Sequence, residues 1–410
     1  MKCRHCNNKL NHLFADLHYS PPSNGYLTFE QLSLPEVYYP LRVQVCDNCW
    51  LVQTEDYVKS ATDGLFDDNY AYFSSTSSSF LEHAKNYCEE MTTRFSLNSK
   101  SLVIEIASND GYLLKNFVGS EIKAIGIEPT KSTAEAAKKI GINVIQDFFS
   151  VSLAKKLLKD GIKSDLIIGN NVYAHIPDIN DFTQGMSLLL KSNGVITIEM
   201  PHVMQLIKHN QFDTIYHEHF SYHSLYTIKK IFEKYGLRVF DVESLNTHGG
   251  SLRVYGCLNN ASHKEELSVQ TLLDLEKKQG LQKIDTYKNF QPIIDNIKTN
   301  VVDFLIDKKK KGKKVVAYGA AAKGNTLLNY CGIKSDLISC VFDAALAKQN
   351  KYMPGSHIPI LNPDKIEEID PDYVIILPWN LKKEIKEQLK DILDSNTKYV
   401  TMIPTLEESS

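Results

Sequence analysis

The sequence predicts an α/β protein in three parts: a cysteine-bearing N-terminal domain and two Rossmann-like domains built on parallel sheets. In the middle of the chain, apolar strand-like runs alternate with helical stretches, as expected for a doubly wound sheet. A second strand–helix pattern begins after residue 301, where VVAYGA precedes the helical stretch TLLNYCGI. The central runs are SLVIEIA, KAIGIEP, NVIQ, DLIIGN and GVITIEMP.

The length of 410 residues exceeds what one ordinary core supports, so several domains are expected. We place the N-terminal domain at residues 1–75, the central domain at 76–300 and the last domain at 301–410. The stretch 258–300 should form a long amphipathic helix, and the tail TLEESS should fray. Further strands are expected in LRVQVCDNCWLVQ, LISCVFDA and DYVIILP.

The composition is that of a soluble globular protein, with 43% apolar and 23% charged residues. A net charge of -3 argues against nucleic acid or an anionic membrane as the main partner. The start, MKCRHCNNKL, lacks the apolar stretch of a signal peptide. We therefore expect a cytoplasmic protein with reduced cysteines. We favour a monomer and leave the oligomeric state open.

Two C-x2-C pairs predict a structural zinc site. Cys3 and Cys6 form one pair, and Cys46 and Cys49 form the other. Each pair can sit on a tight turn, and together the four thiolates complete a tetrahedron. Because four cysteine ligands leave no open coordination position, the metal should be structural rather than catalytic.

The stretch VIEIASNDGYLL, residues 103–114, predicts a loop that binds S-adenosylmethionine (SAM). It is a strand, a glycine-containing turn and a helix, and it does not match the G-x-G-x-x-G fingerprint of nicotinamide enzymes. An acidic residue at the strand end followed by N-D-G is typical of SAM enzymes. The expected cofactor residues here are Glu105, Ala107, Asn109, Asp110 and Gly111.

Residues after the next strands extend this cofactor site. Glu128 in GIEPT lies where a carboxylate can accept both ribose hydroxyls. QDFFS offers Asp147 for the adenine amino group and Phe148 for stacking. Asn170 ends the run IIGN, at the sheet edge where such folds bind ligands.

The segment TIYHEHFSYH, residues 214–223, predicts acid–base chemistry. It holds three histidines, one glutamate and two tyrosines. A zincin site would need His-Glu-x-x-His, but Ser221 stands where the second histidine is required. We expect an acid–base strand at the mouth of the SAM pocket, with His217 pointing away and His223 making structural hydrogen bonds.

These motifs, with HIPD, HGGSLRVY and GAAAKGNTLLN, resemble the sugar C-methyltransferases of deoxysugar biosynthesis, of the tetronitrose and mycarose type. The resemblance covers nearly the whole chain in the same order. It implies an N-terminal zinc domain, a central SAM domain and a C-terminal Rossmann-like domain. It also implies methyl transfer from SAM to a ring carbon, usually C3, beside the keto group of a nucleotide-linked 4-keto-6-deoxysugar.

The resemblance also implies the catalytic residues. The general base maps onto His219, and Tyr216 and Glu218 match other functional positions of the same segment. His175 would lie near the SAM sulfonium and the substrate. A tyrosine of DDNYAYFSSTSSS enters the family's site, and the alignment favours Tyr70 over Tyr72.

The last domain should hold the nucleotide of the substrate. GAAAKGNTLLN follows a strand and opens a helix, so its backbone N–H groups and Lys323 can meet a pyrophosphate. HGGSLRVY offers two glycines for close approach and Arg253 as a phosphate or sugar partner. The other substrate-binding candidates are Tyr72, His248, Asn325 and Lys351.

Two other functions stay open from the sequence. One keeps SAM but moves the methyl group to another position, such as C5 or a hydroxyl oxygen. The other is a non-catalytic protein that binds zinc and nucleotide. A hydroxyl acceptor needs only a base, so the tyrosines near His219 favour carbon.

Overall fold

The structure, a computed structural model, describes residues 1–55, 73–76, 78–394 and 396–409. Its strands, numbered along the chain, are β1 His12–Ser20, β2 Tyr39–Val45, β3 Val52–Thr54, β4 Leu102–Ile106, β5 Lys123–Ile127, β6 Asn143–Ile145, β7 Ser164–Asn170, β8 Leu190–Pro201, β9 Ser221–Tyr222, β10 Leu237–Leu245, β11 Ser251–Leu258, β12 Val315–Tyr318, β13 Val341–Phe342, β14 Ile360–Leu361, β15 Tyr373–Ile376, β16 Lys398–Thr401 and β17 Glu407–Ser409.

The α-helices of the described residues alternate with these strands through the central and last parts of the chain. They are α1 Ser78–Arg94, α2 Leu114–Val118, α3 Lys131–Lys139, α4 Val151–Lys159, α5 Ile179–Leu189, α6 Val203–Lys208, α7 Leu225–Lys234, α8 Leu267–Lys278, α9 Ile284–Lys288, α10 Phe290–Lys310, α11 Ala322–Cys331, α12 Ile366–Ile369 and α13 Lys382–Leu389.

The central sheet has seven strands in the order β6-β5-β4-β7-β8-β11-β10. All are parallel except β11, which pairs antiparallel with both neighbours. Side chains alternate between two cores: Val103 belongs to the same buried cluster as Tyr87 of α1, whereas Ile104 belongs to the cluster that contains Leu157 and Phe182 of the opposite layer. Burial on both faces explains why these strands are continuous apolar runs. The chain reverses direction across the sheet between β4 and β7, which is where such folds bind ligands.

The C-terminal sheet repeats this plan with six strands in the order β14-β13-β12-β15-β16-β17. Strands β12 to β16 are parallel, and β12 and β15 flank a second reversal point. The expected fraying of the tail is wrong, because β17 pairs antiparallel with β16 through Val400 and Glu408.

The stretch 258–300 is not one long helix; it contains α8, α9 and the first half of α10. Helix α8 ends at Lys278, and Gly280, two residues later, has a φ of 81° in the left-handed region. The amide of Leu281 returns to the carbonyl of Glu276, the hydrogen bond of a Schellman cap. The amphipathic pattern passes over this break, so periodicity did not reveal it.

The N-terminal sheet is antiparallel, in the order β1-β2-β3-β9. Its last strand, β9, belongs to the central part of the chain and pairs with β3 through Val52 and Tyr222. The sheet also shares a buried apolar cluster with β12 and α11 of the last domain, and Phe14 stacks on Phe290 of α10 with ring centroids 4.6 Å apart. The N-terminal sheet therefore joins the two Rossmann-like parts.

None of the helices in the described ranges combines the length and apolar character needed to cross a bilayer.

Candidate active site

The four predicted metal ligands converge on one point. The sulfur atoms of Cys3, Cys6, Cys46 and Cys49 all lie within 4.8 Å of one another. The Cys3–Cys49 and Cys6–Cys46 sulfur pairs are 3.5 and 3.6 Å apart. Zinc–sulfur bonds of about 2.3 Å in a tetrahedron place sulfurs roughly 3.8 Å apart, so the residues fit zinc.

The two C-x2-C pairs form equivalent turns. The amide of Asn7 donates to the carbonyl of Cys3, and the amide of Trp50 donates to the carbonyl of Cys46, both at 2.9 Å. Asn7 and Trp50, each directly after the second cysteine of its pair, have φ values of 62° and 63°. These matching left-handed residues turn both thiolates of each pair toward one centre.

The loop after β4 has an unusual backbone. Ala107, Asn109 and Gly111 have φ values of 58°, 49° and 78°. Left-handed alanine is uncommon and strained, and such residues cluster at ligand sites. The amides of Ala107 and Ser108 donate to the carbonyl of Ile127, which fixes this loop against β5.

Buried acceptors gather at this reversal point. Among the described residues, Glu105 Oε2, Asp110 Oδ1, Asn170 Oδ1 and Ser108 Oγ are buried with no hydrogen-bond partner. Burial, and then the charges of Glu128 and Asp110, raise the pKa of Glu105 well above its usual range. A cationic ligand would stabilise these carboxylates, which fits the sulfonium and ammonium of SAM.

The remaining cofactor candidates lie on the neighbouring strands. Glu128 is buried and accepts from the amides of Asn109 and Thr130 and from the Thr133 hydroxyl, at 2.9, 3.0 and 3.0 Å. These three hydrogen bonds already use part of the acceptor capacity of the Glu128 carboxylate. Asp147 is exposed after β6, and the Phe148 side chain is 62% exposed. An aromatic face this open is available for stacking.

The YHEH segment is a β-turn rather than the expected strand. The amide of His219 donates to the carbonyl of Tyr216 at 2.9 Å, and β9 begins only at Ser221. Alternating polar and aromatic residues imitate a strand pattern, but this hydrogen bond folds the chain back. The turn places the first and fourth side chains together, with ring centroids 4.0 Å apart.

The hydrogen bonds of His219 fix its tautomer. Nδ1 lies 2.8 Å from the carbonyl oxygen of Thr214, which can only accept, so Nδ1 carries the proton. Nε2 then presents its lone pair, and the Tyr216 hydroxyl lies 2.8 Å from it. Burial, and then the neighbouring His175, hold the pKa of His219 well below its usual range. The ring is therefore neutral at pH 7 and can accept a proton at Nε2.

Glu218 is the second ionisable group of the turn. Its side chain is buried, and burial raises its pKa to about 7. The Asn24 amide donates to both carboxylate oxygens, at 2.7 and 2.8 Å. Glu218 thus titrates near physiological pH.

The other three histidines of this region have different neighbours. The His175 ring lies against His219, with centroids 4.7 Å apart, and burial lowers its pKa to about 4. His217 Nε2 faces the Pro40 carbonyl at 3.2 Å, toward the N-terminal sheet. His223 is fully buried beside Tyr173, with ring centroids 5.0 Å apart. Of these three histidines, His175 is the one whose ring contacts His219.

The last domain contributes a cation to the same region. Lys323 lies in the first turn of α11. Its ammonium is 2.8 Å from Asn380 Oδ1 and 4.8 Å from the centre of the Trp379 ring. Burial lowers its pKa, while Asp213 acts in the opposite direction. The Trp379 indole donates to Asp213 at 2.7 Å, and burial raises the pKa of Asp213 to about 6. Sequence reasoning missed Asp213 and Trp379, since no motif joins them.

The HGGSLRVY segment contributes differently from expectation. Arg253 lies in a buried ion-pair network with Glu199 at 2.7 Å, Glu90 at 2.8 Å and Glu243 at 3.1 Å. Its donors thus bind carboxylates of α1, β8 and β10, which argues against the predicted phosphate or sugar role. His248 has a left-handed φ of 53°, and burial lowers its pKa to about 4.

Gly249 needs to be glycine, because an added Cβ would lie 2.2 Å from the Trp379 ring. Asn325 is buried in α11, and its amide donates to the Ser23 carbonyl at 2.5 Å. Lys351 is partly exposed in the loop before β14. Tyr70 and Tyr72 lie outside the described residues.

Three families match successive parts of the chain. Residues 3–62 match a family described as "Putative zinc binding domain". Residues 80–242 match "Methyltransferase domain" and residues 246–404 match "C-methyltransferase C-terminal domain". The matches follow the order of the three parts along the chain, but the third begins at residue 246, before β11 of the central sheet. The boundaries at residues 75 and 300 stay predictions.

Solved structures show weaker similarity. Magnesium protoporphyrin IX methyltransferase from Synechocystis PCC 6803 is 13% identical with a TM-score of 0.34, covering 43% of this chain and 78% of that one. A SAM-dependent methyltransferase from Archaeoglobus fulgidus is 14% identical with a TM-score of 0.35, covering 43% and 93%. Similarity of this strength says nothing about substrate.

Sequence similarity to a curated protein extends over almost the full length. The chain is 33% identical to the C-methyltransferase NovU of Streptomyces niveus over 385 residues, which cover 94% of this chain and 91% of NovU. The acidic reversal point of the central sheet and the four clustered cysteines agree with that similarity. The chain belongs to the C-methyltransferase family and is a SAM-dependent enzyme with a zinc-binding domain.

Proposed function

We propose that this enzyme methylates a ring carbon, C3, of a nucleotide-linked 4-keto-6-deoxysugar, with His219 as the general base. This is the reaction of the tetronitrose and mycarose type that the sequence resemblance implies. The observation that carries it is the neutral His219 ring, whose proton-bearing Nδ1 is held by Thr214 while Nε2 faces Tyr216. A neutral imidazole whose lone pair accepts from a rotatable phenol hydroxyl can take a proton α to a ketone once that hydroxyl turns away.

The residues of the turn divide the chemistry. His219 Nε2 takes the α-proton, and the Tyr216 hydroxyl, 2.8 Å from that nitrogen, can turn to donate to the developing enolate oxygen. An ionised Glu218 in the same turn favours the imidazolium that forms. SAM, when bound at the acidic reversal point, supplies the methyl group. Lys323, on α11, supplies a positive charge for the substrate's pyrophosphate.

The four-cysteine zinc site has no chemical part in this proposal. All four ligand positions are filled by thiolates, so its role is to hold the N-terminal sheet.

We expect Glu105→Gln to weaken SAM binding about tenfold or more while stabilising the ligand-free enzyme. The pKa of Glu105 is raised in the folded state, so the native protein binds more protons than the unfolded chain. Its contribution to stability therefore falls as pH rises above the unfolded pKa, and Gln removes that penalty. Calorimetric SAM titration and melting at pH 5 and 8 measure both effects. Equal melting temperatures of wild type and variant at pH 8 would contradict this account.

The substrate is tested by incubating the enzyme and SAM with a panel of nucleotide-linked 4-keto sugars. Mass spectrometry should show one added methyl group, and NMR should place it on C3. Without SAM, the enzyme in D2O should exchange the hydrogen on that carbon. A methyl group on oxygen, or full retention of the α-hydrogen in the methylated product, would refute the enolate route.

A further inference from the structure

A short segment of the N-terminal domain reaches the catalytic turn. We call residues 21–27, PPSNGYL, the strap. The Ser23 carbonyl accepts from Asn325, and the Tyr26 hydroxyl donates to the Ala320 carbonyl at 2.6 Å. Leu27 exchanges two backbone hydrogen bonds with Tyr352. Three contacts with the last domain thus fix the strap on both sides of Asn24.

The strap presents Asn24 through a β-turn. The Gly25 amide donates to the Pro22 carbonyl at 3.0 Å, and glycine is favoured at the last position of such a turn. The Asn24 nitrogen then donates to both oxygens of Glu218, at 2.7 and 2.8 Å. One donor shared by two carboxylate oxygens stabilises the ionised form.

We propose that Asn24 is a positioning residue of the methyltransferase: its two hydrogen bonds orient the carboxylate of Glu218, the residue directly before His219 in the catalytic turn. The inference deepens the proposed function and rests on it, because that function assigns Glu218 its role. Glu218 is buried while Asn24 is exposed, so the amide covers the carboxylate on its open side. Among the described residues, Asn24 supplies the hydrogen bonds that this carboxylate receives.

The ionisable groups around Glu218 do not replace Asn24. Tyr26 on the strap stays protonated, because burial raises its pKa well above its usual range. His175 lies against the backbone carbonyl of Glu218, and burial lowers its pKa to about 4. His217 and His219, the sequence neighbours, also have pKa values lowered by burial. Since these histidines are neutral at pH 7, the amide is the main group that favours the carboxylate.

The test is the titration of Glu218 in the full-length, ligand-free enzyme, followed by carboxyl ¹³C NMR with labelled glutamate. Loss of its resonance in Glu218→Gln gives the assignment. We expect the midpoint, near 7 in the wild type, to rise by about one pH unit in Asn24→Leu, which keeps the shape but removes the donor. Asn24→Gln should restore part of the shift. Asn11→Leu, an exposed asparagine of the same domain, is the control and should leave the midpoint unchanged.

The kinetic arm uses the same variants with SAM and a nucleotide-linked 4-keto sugar. Raising the midpoint by about one pH unit lowers the ionised fraction at pH 7 about fivefold, and kcat should fall accordingly and recover at higher pH. An unchanged NMR midpoint in Asn24→Leu overturns the inference. A shifted midpoint with an unshifted pH–rate profile overturns the catalytic role. Inactive wild type on every sugar would refute only the proposed substrate, because the NMR measurement uses none.

Discussion

His219→Asn should lower kcat for methyl transfer about 10²- to 10⁴-fold, the usual contribution of a positioned general base. Asparagine retains polarity and roughly the reach of Nδ1, so the contact with the Thr214 carbonyl can survive. It cannot accept a proton at neutral pH. The loss should therefore appear in kcat, while the dissociation constant for SAM, which binds at the reversal point of the central sheet, stays within about threefold of wild type.

The matched control is His217→Asn, the same substitution in the same turn. His217 faces Pro40 of the N-terminal sheet, so this variant should keep most of the activity. Loss of α-hydrogen exchange in D2O by His219→Asn, with exchange retained by His217→Asn, would locate the defect in proton removal. A near wild-type rate for His219→Asn would eliminate it as the base.

The acid limb of the rate profile gives a second check on this assignment. The pKa of His219 is held well below its usual range, so its protonation should not reduce the rate between pH 7 and 8. Glu218, with a pKa of about 7, titrates in that interval instead. Glu218→Gln should therefore flatten the profile near neutrality, and His175→Asn should not.

Local pattern predicted the central strands well, because β4, β5, β7 and β8 are buried on both faces and must be continuous apolar runs. It failed where partners are distant in sequence. The tail strand β17 is polar and short, and it forms only because β16 offers an open edge. No property of TLEESS alone shows that edge.

The same distinction holds within the site. The four cysteines and His219 stand out by residue type and spacing, and the structure gathers the cysteines at one point. Arg253 also looked like a ligand residue, but its partners Glu90, Glu199 and Glu243 come from three separate elements. Asn24 was missed for the opposite reason: a single asparagine in a proline–glycine turn is an ordinary turn residue until Glu218 folds beneath it.

Because β9 pairs with the N-terminal sheet, we expect the zinc site to affect catalysis indirectly, through the position of the catalytic turn. The Thr54 amide donates to the Phe220 carbonyl at 3.1 Å, and its hydroxyl donates to the His219 carbonyl at 3.3 Å. These contacts tether the residues directly after the catalytic turn to β3. Within the described residues, the apolar cluster that holds the four cysteines is small and adds Leu10 and Leu51 to them, so the metal supplies most of the local stability.

Cys46→Ser should therefore lose zinc, lower the melting temperature and reduce kcat by about 10²-fold, because misplacement of a catalytic group by about 1 Å can cost that much. SAM affinity should change little, since its site lies on the seven-stranded sheet. Cys340→Ser, at a buried cysteine of the last domain, should keep both metal and activity. Metal analysis, melting curves and initial rates measure these effects.

Because Cys46→Ser can fail to fold, the wild type is also treated with a chelator, and zinc release should parallel loss of kcat. Full activity after complete zinc removal would show that β9 holds the His219 turn without the metal.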